Sequence, residues 1–92
     1  MEITYDPSKR TVTLADRGVD FESAIEIFAG KTWNVPDERR DYGEVRILTV
    51  GHLHGRMMIV IWTPRGPARH IISMRKANAR EKANYGKRLE ED

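Results

Sequence analysis

Two side chains in this sequence, Arg46 and His70, have the chemistry to break a phosphodiester bond without a metal ion, provided the fold brings them to one surface. A histidine exchanges a proton near neutral pH, and an arginine grips phosphoryl oxygens through two parallel N–H donors. Such a pair could activate a ribose 2′-hydroxyl, stabilise the negative charge that builds on phosphorus and protonate the departing 5′-oxygen. Glu44 enters the same predicted strand two residues before Arg46 and is the second candidate for the proton transfer. Each residue also has a plainer reading. His70 would be a hydrogen-bonded core histidine, Arg46 a solvated strand-edge cation, and Asp37, Glu38 and Asp41 a solvated loop.

Charge distribution favours an anionic ligand. From Arg46 to Arg88 the chain carries ten cations, and Glu81 is the single acid among them. Residues 1–44 carry six cations and ten acids, so a formal net charge of +2 conceals a strongly polarised sequence. Such an asymmetry concentrates polyanions, nucleic acid first among them. Its densest part is Arg69–Arg80, RHIISMRKANAR. Ser73 is expected to cap a helix running from Arg75 to about Leu89, which sets Arg75 and Lys76 in the first turn. Cations there oppose the helix dipole. The conflict is useful if free terminal N–H groups and two cations hold a phosphate. Otherwise the two side chains extend into water or pair with acids of the N-terminal half.

His52 and His54 form an H-x-H pair, but His70 falls roughly 13 Å down the sheet at the usual strand rise, too far to complete a metal site. They are read as flanking a turn, and neither metal nor other cofactor is expected. Trp62 is predicted to lie opposite Arg69, which invites a cation–π contact, and either side chain could stack a base. The alternative is a core-edge indole covered by an arginine stem. Met57, Met58 and Met74 are expected to fill gaps in the core.

Positioning these residues falls to a short chain. Ninety-two residues with 39% hydrophobic content predict a single domain over residues 1–92 with a thin core. No cysteine is present, which excludes disulfides and thiolate chemistry. No apolar run approaches the ~20 residues that cross a bilayer, and MEITYDPSKR lacks the apolar centre of a secretory signal. A cytoplasmic protein without membrane contact is therefore expected.

Ile3–Tyr5 reads as a short strand, and Asp6 with Pro7 opens a helix to about Asp16 that Gly18 stops. Asp20 caps a second helix whose apolar stripe is Phe21, Ala24, Ile25 and Phe28, ended by Gly30. Trp33–Val35 is a strand and residues 36–43 a charged loop. Val45–Leu53, Met57–Thr63 and Ala68–Ser73 form a meander with two-residue turns at His54-Gly55 and Arg65-Gly66. Those turns set Leu48 against Ile61, Ile47 against Trp62, Ile61 against His70 and Trp62 against Arg69. After the last helix, Gly86 and the acidic tail predict fraying. The expected order is β-α-α-β-β-β-β-α, an α+β domain in which two N-terminal helices and a C-terminal helix lie over one face of an antiparallel sheet.

Four motifs then stand out: YDPSK at Tyr5–Lys9, G-V-D-F-E-x-A-x-x-I-F at Gly18–Phe28, E-V-R-x-x-T-V-G at Glu44–Gly51, and I-I-S-M-R-K-A-N-x-R-E at Ile71–Glu81, closed by Tyr85. Together they resemble the BrnT family of type II toxins. The resemblance implies a RelE-like fold and a ribonuclease toxin that inhibits translation by cutting RNA. It also implies a cognate BrnA-type antitoxin whose ribbon-helix-helix portion binds operator DNA, so that the toxin meets DNA only through its partner. The family's basic positions carry over to Lys9, Arg46, Arg75 and Lys76, with Arg80, Glu81 and Tyr85 on the final helix. Many relatives have arginine where this chain has His70, and lysine-histidine where it has Asp16-Arg17.

The combined expectation is a metal-independent endoribonuclease. Arg46, Arg75 and Lys76 would hold the scissile phosphate, and His70 or Glu44 would move the proton. Lys9, Arg69 and Arg80 would contact RNA, with Trp62 and Tyr85 stacking bases. Its rival is a non-catalytic basic module that binds nucleic acid or the antitoxin.

Overall fold

A computed structural model describes residues Met1–Glu90. In chain order they form strand β1 (Glu2–Tyr5), helix α1 (Pro7–Arg17), a 3-10 turn (Phe21–Ser23) that runs into helix α2 (Ala24–Ala29), strands β2 (Trp33–Pro36), β3 (Ile47–Leu53), β4 (Arg56–Arg65) and β5 (Ala68–Lys76), and helix α3 (Ala79–Glu90). The sheet order is β1-β5-β4-β3-β2. β1 runs parallel to β5 and the other neighbours are antiparallel, so the sheet is mixed where the sequence predicts a purely antiparallel one. The α+β class and the C-terminal helix agree with the sequence. Among the described residues no helix is long and apolar enough to cross a membrane.

Strand β4 is the spine, with every residue from Met57 to Thr63 buried. Its two faces are both apolar, as in strands covered on both sides. Met58, Val60 and Trp62 join Ile71, Met74, Phe21, Ala24 and Ile27 in one cluster, the α2 face. Met57, Ile59 and Ile61 join Val50, Ala77 and Leu89 in the other, which α3 covers. Helices therefore flank both faces, not one, because each apolar side of β4 needs cover. The buried stripe of the second helix is Phe21, Ala24 and Ile27, while Ile25 is 42% exposed. A 3-10 start has three residues per turn, which moves the stripe to a spacing of three.

Helix α1 is built from its ends inward. The Asp6 carboxylate accepts the Ser8 N–H at 2.9 Å, and the Gly18 N–H, at a left-handed φ, donates to the Leu14 carbonyl at 3.0 Å. None of its residues is buried. It is held instead by a two-pronged Arg10–Asp20 ion pair and by Arg17, whose guanidinium donates to the Met74 carbonyl of β5 at 3.3 Å.

The hairpin between β3 and β4 has the expected register, Ile47 against Trp62 and Leu48 against Ile61. His54 and Gly55 both take positive φ, 51° and 79°, as a two-residue type I′ turn requires. The next hairpin differs. Its central residues are Gly66 and Pro67, with Arg65 opposite Ala68. Gly66 supplies the positive φ (57°) and Pro67 the fixed negative one, which suits a turn with glycine first. Pairing moves by two residues: His70 lies opposite Thr63, not Ile61, and Trp62 lies opposite Ile71, not Arg69.

A bulge follows. Trp62 pairs with Ile71 but Ile61 pairs with Ser73, which leaves Ile72 as an extra residue on β5. Beyond it Met74 turns onto the α2 face, and Ser73 and Arg75 turn onto the α3 face. Residues 73–76 are strand, which overturns the expected cap at Ser73 and the helix from Arg75. A helix starting there would leave the buried backbone of Met58–Ile61 unpaired, an expensive loss. The pairing reaches Met58 opposite Lys76, and the Ala77 N–H still donates to the Met57 carbonyl at 3.0 Å.

Asn78 caps α3 instead. Its side-chain oxygen accepts the Glu81 N–H at 2.8 Å, and the Glu81 carboxylate accepts the Asn78 N–H at 3.0 Å, a reciprocal capping box. The helix continues through Gly86 to Glu90; the end of the acidic tail lies outside the described residues.

Two stability predictions follow from this packing. Asn78→Ala removes one half of the capping box and should cost about 1 kcal/mol, read as a lower thermal midpoint with loss of helical signal. In Gly51→Ala the new Cβ would sit 2.7 Å from Ile27 Cγ2 and 3.2 Å from Thr32 Cγ2, with Ile27 fully buried. Overpacking of that kind should cost about 1–3 kcal/mol in a denaturant titration, and an unchanged midpoint would contradict the contact.

Candidate active site

On the α3 face, at the end of the sheet away from α3, one row of side chains crosses β1, β5 and β4 and ends at the residue leading into β3. Thr4 pairs with His70 and His70 with Thr63. Arg46, one residue before the Ile47–Trp62 pair, continues the row on the β3 side. The Thr63 hydroxyl donates to the Val45 carbonyl at 2.6 Å, fixing the chain where Arg46 enters. Arg46 and His70 are thus two strand spacings apart, about 10 Å between backbones.

His70 is half-buried, and its Nδ1 lies 2.8 Å from the Thr4 hydroxyl. That contact fixes the ring and leaves Nε2 as the nitrogen for proton exchange. Burial lowers its pKa from the ordinary histidine value, and Arg65 and Lys9 act in the same direction against Glu44 and Asp6. The ring is therefore neutral at pH 7 and able to accept a proton.

Arg46 is held from two sides. Its Nε donates to Glu44 at 3.2 Å, and its guanidinium lies 3.9 Å from the centre of the Tyr42 ring. Glu44 serves here as the partner of Arg46. The loop behind them is anchored by Asp37, which the sequence reading left in solvent. Asp37 is buried, takes two hydrogen bonds from Arg39 at 2.7 and 2.9 Å, and its N–H donates to the Arg46 carbonyl at 2.8 Å. Arg39 holds the Asp37 carboxyl below the usual carboxylate range.

Anchored in this way, the loop walls a cleft of about 380 Å³. Arg39, Arg40, Tyr42 and Arg46 form the wall, and Ile61, Ile72 and Ser73 the floor. Ile72 also borders a shallow hollow with Lys9 and Val12 of α1, so α1 flanks the cleft on its far side.

Arg75 lies farther along the same face, opposite Ile59. Its guanidinium makes a two-pronged pair with Glu81 at 2.7 and 2.8 Å, which ties β5 to the start of α3. The phosphate site expected at a helix start with Arg75 and Lys76 is therefore absent: both are strand residues, on opposite faces. Lys76 pairs with Met58 and borders a hollow with Gly18, Asp20 and Arg56 on the α2 face. Arg69 lies over Phe28 and Trp62 at 4.5 and 4.6 Å, also on that face. Trp62 is 8% exposed, and its Nε1 donates to Thr49 at 2.8 Å, so it is a core indole beneath an arginine. Tyr85 packs against Trp33 at 5.2 Å between ring centres, and Arg80 is exposed in the first turn of α3. His54 pairs with Glu26 at 3.4 Å, and no group of three metal-ligating side chains gathers among the described residues.

The fold thus gathers Lys9, Arg46, His70 and, at its margin, Arg75, and it turns Lys76, Arg69 and Trp62 away. Sequence reasoning missed Thr4, Thr63, Arg39, Arg40 and Tyr42. Thr63 was within reach of a corrected register. The Arg39-Arg40 pair was hidden by the acids around it.

No curated protein matches the chain. A family model described as a ribonuclease toxin, BrnT, of type II toxin-antitoxin systems matches residues 5–81, from the end of β1 to the first turn of α3. That span contains Lys9, Arg46, His70 and Arg75 together with the loop that holds them. The chain belongs to the BrnT family of ribonuclease toxins of type II toxin–antitoxin systems.

Proposed function

We propose that this toxin is a RelE-like, metal-independent endoribonuclease that cuts RNA by attack of the ribose 2′-hydroxyl and so inhibits translation. The observation that carries the reading is that half-buried Arg46 and His70 flank buried Thr63 in one row, beside a cleft walled by arginines. Arg46 binds the scissile phosphate and meets its growing charge. Neutral His70 takes the 2′-hydroxyl proton through Nε2 and returns it to the leaving 5′-oxygen. Lys9 extends the cationic surface at one side, and Arg75, engaged with Glu81, sits at its margin. Glu44 orients Arg46. A BrnA-type ribbon-helix-helix antitoxin is the expected partner, with DNA contacted only by that protein.

The test is turnover, which also separates this reading from a module that only binds. Purified protein should cut RNA equally well with and without EDTA, and a 2′-deoxy substitution at the cleavage point should abolish the cut. Arg46→Ala and His70→Ala should each slow cleavage on the order of 100-fold while keeping the thermal midpoint near wild type. Lys76→Ala, altered on the opposite face, should stay close to wild type. Intact RNA under all conditions, or cleavage lost with EDTA, rejects the proposal.

The pH profile supplies a second check. His70 must be unprotonated to act as base, and its pKa is lowered by burial. Cleavage should therefore hold up through pH 7 and fall on acidification only below the ordinary histidine range. An acid limb unchanged in His70→Ala would assign the proton transfer elsewhere.

A further inference from the structure

We propose that the cleft beside Arg46 is a single-nucleotide subsite, in which the ring of Tyr42 stacks on the base next to the scissile phosphate of single-stranded RNA. This rests on the ribonuclease reading and adds a recognition element to it. The cleft, about 380 Å³, falls at the lower end of the range for small-ligand sites, ~300–1,000 Å³. Its lining combines three kinds of surface: the half-buried Tyr42 ring, an aliphatic floor of Ile61 and Ile72, and donors from arginines and Ser73.

No acid is among the residues that line it. Asp37 is buried behind Arg39, and Glu44 meets Arg46 in a neighbouring hollow where Glu38 and Asp41 face the other side of Arg40, Tyr42 and Arg46. A bare phosphate would use the guanidinium groups and leave the aliphatic floor idle. An apolar ligand would strip water from the guanidinium groups and give nothing back. A nucleotide engages all three surfaces at once.

Arg46 fixes which nucleotide this is. It touches the Tyr42 ring on one side and continues the His70 row on the other, so the stacked base belongs to the residue adjoining the cut. The exposed Arg40 lies 5.0 Å from the same ring and swings outward to admit that base, whose far side it can then cover. A base inside an A-form duplex offers no free face, and the ligand is therefore single-stranded.

An oligonucleotide carrying a 2′-deoxy residue at the cleavage point resists the proposed reaction and serves as the binding probe. A second set carries one abasic residue, moved along the strand, and affinities are read by fluorescence anisotropy at fixed salt. With wild-type protein one abasic position next to the cut should weaken binding about tenfold. Tyr42→Ala should weaken the intact probe by a similar factor and become indifferent to that position. Tyr42→Phe, which keeps the ring, should behave as wild type and shows that the loop itself tolerates change. Tyr42→Ala binding that matches wild type, or that still responds to the abasic position, overturns the subsite while RNA cleavage leaves the ribonuclease reading intact. Failure of wild-type protein to cut any RNA removes both.

Discussion

One extra residue in one strand decides what this protein can present on its surface. In a regular strand side chains alternate, so His70 and Arg75, five residues apart, would point to opposite faces. The bulge at Ile72 reverses the alternation midway. Arg75 then shares a face with His70, and Met74 enters the α2 core beside Val60. Bulges commonly re-aim a side chain near a functional site, and here a single one serves two ends. Without it Met74 would be driven toward Ile59 and Arg75 toward the buried Met58, so core and site would fail together.

The second constraint is electrostatic. Arg39, Arg40 and Arg46 crowd one loop, and their mutual repulsion would spread it apart in water. Asp37 prevents this from beneath: its carboxylate, on a side chain only 1% exposed, accepts from Arg39 at two points, and its backbone N–H donates to the Arg46 carbonyl. Burying a carboxylate is costly unless it is paired and hydrogen-bonded, and Asp37 is both. Glu44 likewise steadies Arg46 from the side. The arginines thus face two hollows, one lined without acids and one shared with Glu38, Asp41 and Glu44, which makes a polarised wall from a segment whose net charge is small. Arg75 and Glu81 use the same device for a different purpose, joining the last strand to the last helix.

How much of this was legible depends on whether neighbouring residues decide the structure. The caps of α1 and the β3–β4 turn are local, and Asp6-Pro7, Gly18 and His54-Gly55 announced them. The end of β5 is not local. RKANAR reads as helix by composition, yet β4 needs a partner along its whole buried length, and that demand overrides propensity for residues 73–76. The clues existed: Asn78 and Glu81 have capping-box spacing, and cations in a first helical turn were a warning about the element itself. Ile71, Ile72 and Met74 break strict alternation where the bulge sits. The site was legible only in part for the same reason. Arg46 and His70 share a face by strand parity, whereas Arg39, Arg40 and Tyr42 are brought in by a buried ion pair that no periodicity records.

Size explains why the site lies where it does. The chain has apolar residues on both faces of β4 but too few helical residues to roof both completely. Helix α2 seals one face; α3, through its Leu89, reaches Val50 and Ile59 on the other and goes no further toward the Arg46 end. Helix α1 buries nothing and is held by Arg10 and Arg17. This face is therefore fully covered at Val50 and Ile59 and only partly covered toward Leu48, His70 and Thr4, and its composition changes along its length. Beneath α3 the rows are Val50 and Ile59; next come Leu48 and Ile61 at the cleft floor; last come Arg46, Thr63, His70 and Thr4, a row of groups that hydrogen-bond or carry charge. Val and Ile at these half-covered positions would leave apolar area in contact with water and invite association. The polar row removes that liability, and the same substitution of threonine, histidine and arginine for aliphatic residues furnishes the chemistry.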